Sequence, residues 1–166
     1  MMPSKFLLIV LAITGFMQSA LAVSVGEPAP IVTLPSLTGD ADVALDQFRD
    51  KVVYLDFWAS WCAPCRTSFP ILQSWQQKYQ EQGFTVVAIN LDEDKDAALR
   101  FLQHYPVTFT TLRDAQEHWA EVYAIEAMPT SFLINRQGVI HSVHSGFTET
   151  GATALEQQIQ QLLRQP

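Results

Sequence analysis

The sequence predicts an α/β domain with a mixed central sheet flanked by helices on both faces and an N-terminal β-hairpin extension. Three observations carry this reading. Short β-branched and aromatic runs alternate with longer helical stretches, the order expected of a layered α/β domain. The runs Val52–Phe57 and Phe84–Leu91 are apolar with little alternation, as strands buried on both faces are. Two later runs are separated by Asn135-Arg136-Gln137-Gly138, the turn chemistry of an antiparallel pair.

The elements follow in order. Val23 to Asp50 is rich in Pro, Gly, Thr and Asp, and Thr38-Gly39-Asp40 is a turn between short apolar stretches, so this segment reads as the hairpin extension. Ala63 to Gln82 reads as a helix ended by Gly83, and Asp94 to Tyr105 as a second helix stopped by Pro106. Phe109 to Leu112 is a short strand. Asp114 to Tyr123 is a third helix capped by Asp114. Thr130 to Ile134 and Val139 to Val143 form the antiparallel pair. Thr148 to Leu163 closes the chain as a helix with Leu155, Ile159, Leu162 and Leu163 on one face.

The 166 residues allow one domain, and 48% hydrophobic against 16% charged residues gives it a core and excludes a disordered chain. Ten Lys and Arg stand against 17 Asp and Glu; that acidic balance excludes a nucleic-acid binder. Two cysteines are too few for a disulfide-stapled mini-protein.

The first residues read as an address. Lys5, the apolar run Phe6 to Phe16, and Ala20-Leu21-Ala22 are the parts of a secretory signal peptide with cleavage after Ala22. The charge-free stretch is also long enough for an uncleaved membrane anchor, but its strongly apolar part stops at Phe16. The domain is then 23–166, working in the periplasm, where a cysteine pair must be protected from reduction or supplied with electrons.

The chemistry lies in Trp61-Cys62-Ala63-Pro64-Cys65-Arg66, which follows the first central strand and opens a helix. A helix N-terminus offers unpaired N–H groups and the positive end of the dipole; both favour a thiolate at Cys62, below the free value of about 8.5. Pro64 suits a first turn. Cys65, three residues on, returns its sulfur to Cys62, so that one thiol attacks and the other resolves the mixed disulfide. A purely structural disulfide and a zinc site are the alternatives. Zinc would draw on His141 and His144, whose odd separation on a strand points them to opposite faces.

Val53-Tyr-Leu-Asp-Phe-Trp-Ala-Ser-Trp-Cys-Ala-Pro-Cys-Arg66 resembles the active-site stretch of thioredoxins, and more closely that of exported TlpA/ResA-type thiol–disulfide oxidoreductases, a group that includes the cytochrome c maturation thioredoxins. The resemblance implies a thioredoxin fold over essentially the whole chain after Ala22. It implies Cys62 as attacking thiolate, Cys65 as resolving thiol, and Asp56 as a buried acid that takes the Cys65 proton. Pro70 stands where the family kinks the active-site helix, and Met128-Pro129-Thr130 resembles its cis-proline loop. Trp61, Pro64, Met128 and Pro129 would shape the groove for an extended substrate. Two positions depart from the family: Ala88 stands in place of a lysine near the buried acid, and Ser68 in place of a glutamate after the second cysteine.

The implied activity is reduction of protein disulfides with no cofactor and no metal, by a monomer that draws electrons from a membrane thiol transporter of the DsbD or CcdA kind. Two alternatives stay open: a protein-disulfide oxidant of the DsbA kind, and a non-catalytic binding module on the same fold. No large helical insertion precedes Pro129, which speaks against the DsbA subfamily, and Ala59-Ser-Trp-Cys62 lacks the Thr-x-x-Cys of a peroxiredoxin. Elsewhere, Asp92-Glu-Asp-Lys-Asp96 resembles the start of a calcium loop but has Ala97 and Gln103 where Gly and Glu are required, so it reads as a solvated helix start. His104 and His118 read as surface residues.

Overall fold

The computed structural model describes residues 23–165; the leader read at 1–22 lies outside them. Among the described residues, seven strands and four α-helices form two sheets and their covering layers. The strands are β1 (Thr33–Pro35), β2 (Asp42–Ala44), β3 (Val52–Trp58), β4 (Phe84–Asn90), β5 (Thr110–Arg113), β6 (Thr130–Ile134) and β7 (Ile140–Ser145). The helices are α1 (Ala63–Tyr79), α2 (Lys95–His104), α3 (His118–Val122) and α4 (Glu149–Leu163). The central sheet has the order β5-β4-β3-β6-β7, with β3–β4 and β4–β5 parallel and β3–β6 and β6–β7 antiparallel. It is the mixed sheet of a thioredoxin-like fold. β1 and β2 pair antiparallel around the Thr38–Asp40 turn, as the expected hairpin.

β3 and β4 are buried at every position. Alternation along β3 sends Val52, Tyr54 and Trp58 into one core cluster with α1, α2 and α4, and Val53, Leu55 and Phe57 into another with the hairpin and α3. The first cluster carries the aromatic nucleus under the cysteine pair. Trp58 lies 4.7 Å from Phe69 and 4.8 Å from Phe101 between ring centroids, and Phe69 lies 5.7 Å from Phe109. Gly83 terminates the turn that follows α1 with φ of 87°, a left-handed conformation that glycine adopts without steric cost.

The N-terminal segment straps the central sheet at both edges. Gly26 and Ala29 donate their N–H groups to Ile140 O and Gly138 O, and Ile140 N–H returns to Glu27 O, beside β7. Leu37 N–H donates to Thr111 O and Ser36 bridges Leu112, beside β5. Each edge is thus paired over part of its length, at the start of β7 and the middle of β5, which shortens the open hydrogen-bonding rows that invite edge-to-edge pairing.

Two sequence expectations change here. The third helix begins at His118, not at Asp114: Glu117 takes a left-handed φ of 55°, so a turn occupies the positions before it. Asp114 still caps it, with Oδ2 accepting from Trp119 N and Ala120 N at 2.7 and 3.0 Å. His141 sits at a register irregularity, because Leu133 pairs with Ser142 while Ile134 pairs with Ile140. The extra residue breaks the alternation, so odd spacing does not set His141 and His144 on opposite faces. Burial lowers the His144 pKa, and the neighbouring His141 charge lowers it further.

Candidate active site

Cys62 and Cys65 are joined as a disulfide at the N-terminus of α1, with their Cα atoms 5.3 Å apart. Cys62 is the N-cap, and its Sγ accepts from the Cys65 N–H at 3.3 Å. A sulfur in that position sits on the unsatisfied end of the helix. Pro64 is accommodated in the first turn and Pro70 inside the helix. Cys65 is fully buried, whereas Cys62 keeps 3% of its surface, so the two sulfurs differ in access by a narrow margin. Trp61, by contrast, is 65% exposed and makes no part of the core.

Asp56 is 1% exposed and lies on β3 opposite Ala88 of β4 and Ser131 of β6. Its Oδ2 has no hydrogen-bond partner, and the neighbour that could have carried a cation is the methyl group of Ala88. Burial therefore pushes the Asp56 carboxyl well above the ordinary carboxylate range. Tyr54, on the same face two residues back, accepts a 2.8 Å hydrogen bond from Ser131 Oγ; burial first and the Asp56 charge second push its phenol upward. Ser68 turns inward and donates to the Cys65 carbonyl at 3.2 Å.

The Met128–Pro129 peptide is cis, as the resemblance implied. Met128 is half-buried and packs against both core clusters, while Pro129 is buried. The Pro129 carbonyl accepts from Gly146 N at 2.7 Å, and Ala127 O accepts from Thr130 Oγ1 at 2.7 Å. Pro129 has no N–H and its carbonyl is engaged by Gly146.

One site residue was missed. Asp92, read in sequence as part of a solvated helix start, is 4% exposed. Its carboxylate accepts from Ser60 N at 2.8 Å, Ser60 Oγ at 2.7 Å and Asn90 Nδ2 at 2.6 Å, and its own N–H donates to Asn90 Oδ1. Ser60 belongs to the turn closed by Cys62 N–H donating to Ala59 O. The acid thus ties the turn that delivers Cys62 to the end of β4. The available signal was Asn90-Leu91-Asp92 at the carboxyl end of a buried strand, where α/β sheets carry their sites. Asp92→Ala strands three donors and is expected to cost about 2–3 kcal/mol in urea unfolding of the oxidised protein. Asp92→Asn, which keeps one acceptor oxygen, costs less; equal losses in the two variants would show that the hydrogen bonds do not hold the turn.

A disulfide-bonded Cys-x-x-Cys capping a helix, in a fold that also holds a buried acid and a cis-proline loop, defines the class: a thioredoxin-like thiol–disulfide oxidoreductase of the TlpA/ResA type. The comparisons agree. The Redoxin family model matches residues 24–159, and the chain belongs to that family. It is 32% identical over 133 residues to the thiol-disulfide oxidoreductase ResA of Geobacillus kaustophilus, covering 80% of this chain and 76% of that one. It is 33% identical over 125 residues to ResA of Bacillus subtilis, covering 75% and 69%. Among solved structures, a candidate thiol:disulfide interchange protein DsbE of Chlorobium tepidum superposes with a TM-score of 0.82 at 45% identity, over 86% of this chain and 99% of that one.

Proposed function

We propose that this oxidoreductase acts outside the cytoplasm as a reductant of protein disulfides. In the forward half-reaction the Cys62 thiolate attacks a substrate disulfide. A bond forms between Cys62 and one substrate sulfur, and the other substrate sulfur leaves as a thiolate. Asp56 takes the proton of Cys65, whose thiolate then attacks the Cys62 sulfur and releases the second substrate thiolate. Two electrons pass to the substrate, and the Cys62–Cys65 disulfide remains. Trp61, Pro64, Met128 and Pro129 frame the approach, with the Met128 backbone available to an extended segment.

The observation that supports the reducing direction is the buried Asp56 without a cationic partner. With no cation beside it, this layer does not stabilise a negative charge, so thiolate formation there is not favoured. A pair whose reduced form is not stabilised surrenders its electrons readily, the opposite of a strong oxidant. Export is supported by Lys5, the apolar run after it and Ala20-Leu21-Ala22. Among the described residues no helix is long and apolar enough to cross a membrane. An exported reductant in an oxidising compartment needs its own electron supply, and a membrane thiol transporter is the donor proposed.

Equilibration of the pair against a glutathione or dithiothreitol buffer tests the direction. A reductant lies near the thioredoxin value of about −270 mV, and a midpoint near the DsbA value of about −120 mV would reverse it.

A further inference from the structure

A groove of about 480 Å³ runs beside the cysteine pair between α1 and α2. It begins at Ser60, two residues before Cys62 and fixed by Asp92. Its lining includes Phe101 and Tyr105, whose rings lie 4.7 Å apart, and Arg66, Arg100 and His104. No carboxylate lines it. This is unusual in a domain that carries, after Ala22, nine Lys and Arg against 17 Asp and Glu.

The cations are available. Arg66 is exposed and takes no hydrogen bond or ion pair among the described residues. Arg100 reaches only Asp94, at 3.3 Å, with both side chains more than half exposed. Such a pair is weak and exchanges readily for another carboxylate. His104 donates its Nδ1–H to the Arg100 backbone carbonyl at 2.8 Å, which holds the ring against the last turn of α2.

We propose that this groove docks an acidic stretch of the disulfide-bearing partner protein, its carboxylates on Arg66 and Arg100 and its apolar side chains on Phe101 and Tyr105. The proposal rests on the oxidoreductase reading and names the substrate feature that this site selects. Charge complementarity at an exposed rim acts on encounter and on KM rather than on the exchange itself.

The test uses two synthetic peptides, each holding one disulfide in the same sequence, flanked by Glu in one and by Lys in the other. At low ionic strength the Glu peptide is expected to be reduced with about tenfold higher kcat/KM, the difference lying in KM, and to lose most of that advantage at about 500 mM salt. Arg66→Glu with Arg100→Glu is expected to reverse the preference, and the milder Arg66→Gln with Arg100→Gln to abolish it. Reduction of the uncharged hydroxyethyl disulfide, measured in each variant, reports any change in the thiol itself, and this cancels in the ratio of the two peptide rates. Equal rates for the two peptides with the wild-type protein, or an undiminished Glu preference in the Glu variant, would overturn the docking alone. Failure of the wild-type protein to reduce hydroxyethyl disulfide would overturn the oxidoreductase reading and the docking with it.

Discussion

Cys62→Ser is expected to lower insulin reduction by a factor on the order of 10³ or more, to the rate of the added thiol alone. The serine hydroxyl occupies the N-cap well and can accept from Cys65 N–H, so the helix keeps its cap although the disulfide is lost. What disappears is the one cysteine of the pair that keeps any surface open to a partner. Cys65→Ser has a different signature: the first attack proceeds, nothing resolves it, and mixed disulfides through Cys62 accumulate on non-reducing gels. A Cys62→Ser protein that reduced insulin at the normal rate would place the attacking group elsewhere.

Asp56→Asn is expected to stabilise the oxidised protein at neutral pH while slowing turnover. The sign follows from the raised pKa. Below about pH 3.9 the carboxyl is protonated in the folded and unfolded chains alike, and it contributes no pH dependence. Between that value and the folded-state pKa, the unfolded chain has released the proton and the folded one still holds it. Stability therefore falls as pH rises, by about 1.4 kcal/mol per unit, and levels off above the folded-state pKa. The amide has no proton to release and shows no such slope. The variant's advantage in Tm should be near zero at pH 4 and grow by about 3–4 °C per pH unit through that window. Insulin reduction should fall by about 10²-fold if Cys65 loses the base proposed for it. A Tm difference that shrinks as pH rises would mean that Asp56 is ionised in the fold.

The central sheet and the cysteine pair were legible because their signals are local. Val52–Phe57 and Phe84–Leu91 have no polar face to expose, and a Cys-x-x-Cys directly after a strand has few other uses. The burial of Asp56 could be read from Leu55 and Phe57 beside it. Asp92 could not: its neighbours Glu93, Asp94 and Asp96 give the look of a solvated run, and the partner that buries it, Ser60, is 32 residues away. The third helix started late because Glu117 breaks the chain direction at a position with no glycine to announce it. The same is true of the Pro129 carbonyl, whose partner Gly146 comes from the end of β7.

The strap over the two sheet edges also orders events in time. During synthesis Gly26, Glu27 and Ala29 emerge among the first residues of the domain, yet their partners Gly138 and Ile140 are made near its end. Those contacts are about as non-local as this chain permits, and closure of so long a loop cannot precede the late strands. Both cysteines precede β6 and β7 in the chain, so the sheet they sit on is completed only after the pair has been made. The segment that opens the described domain is closed by residues made near its end, so a chain stalled short of β7 would hold its redox pair on an incomplete sheet.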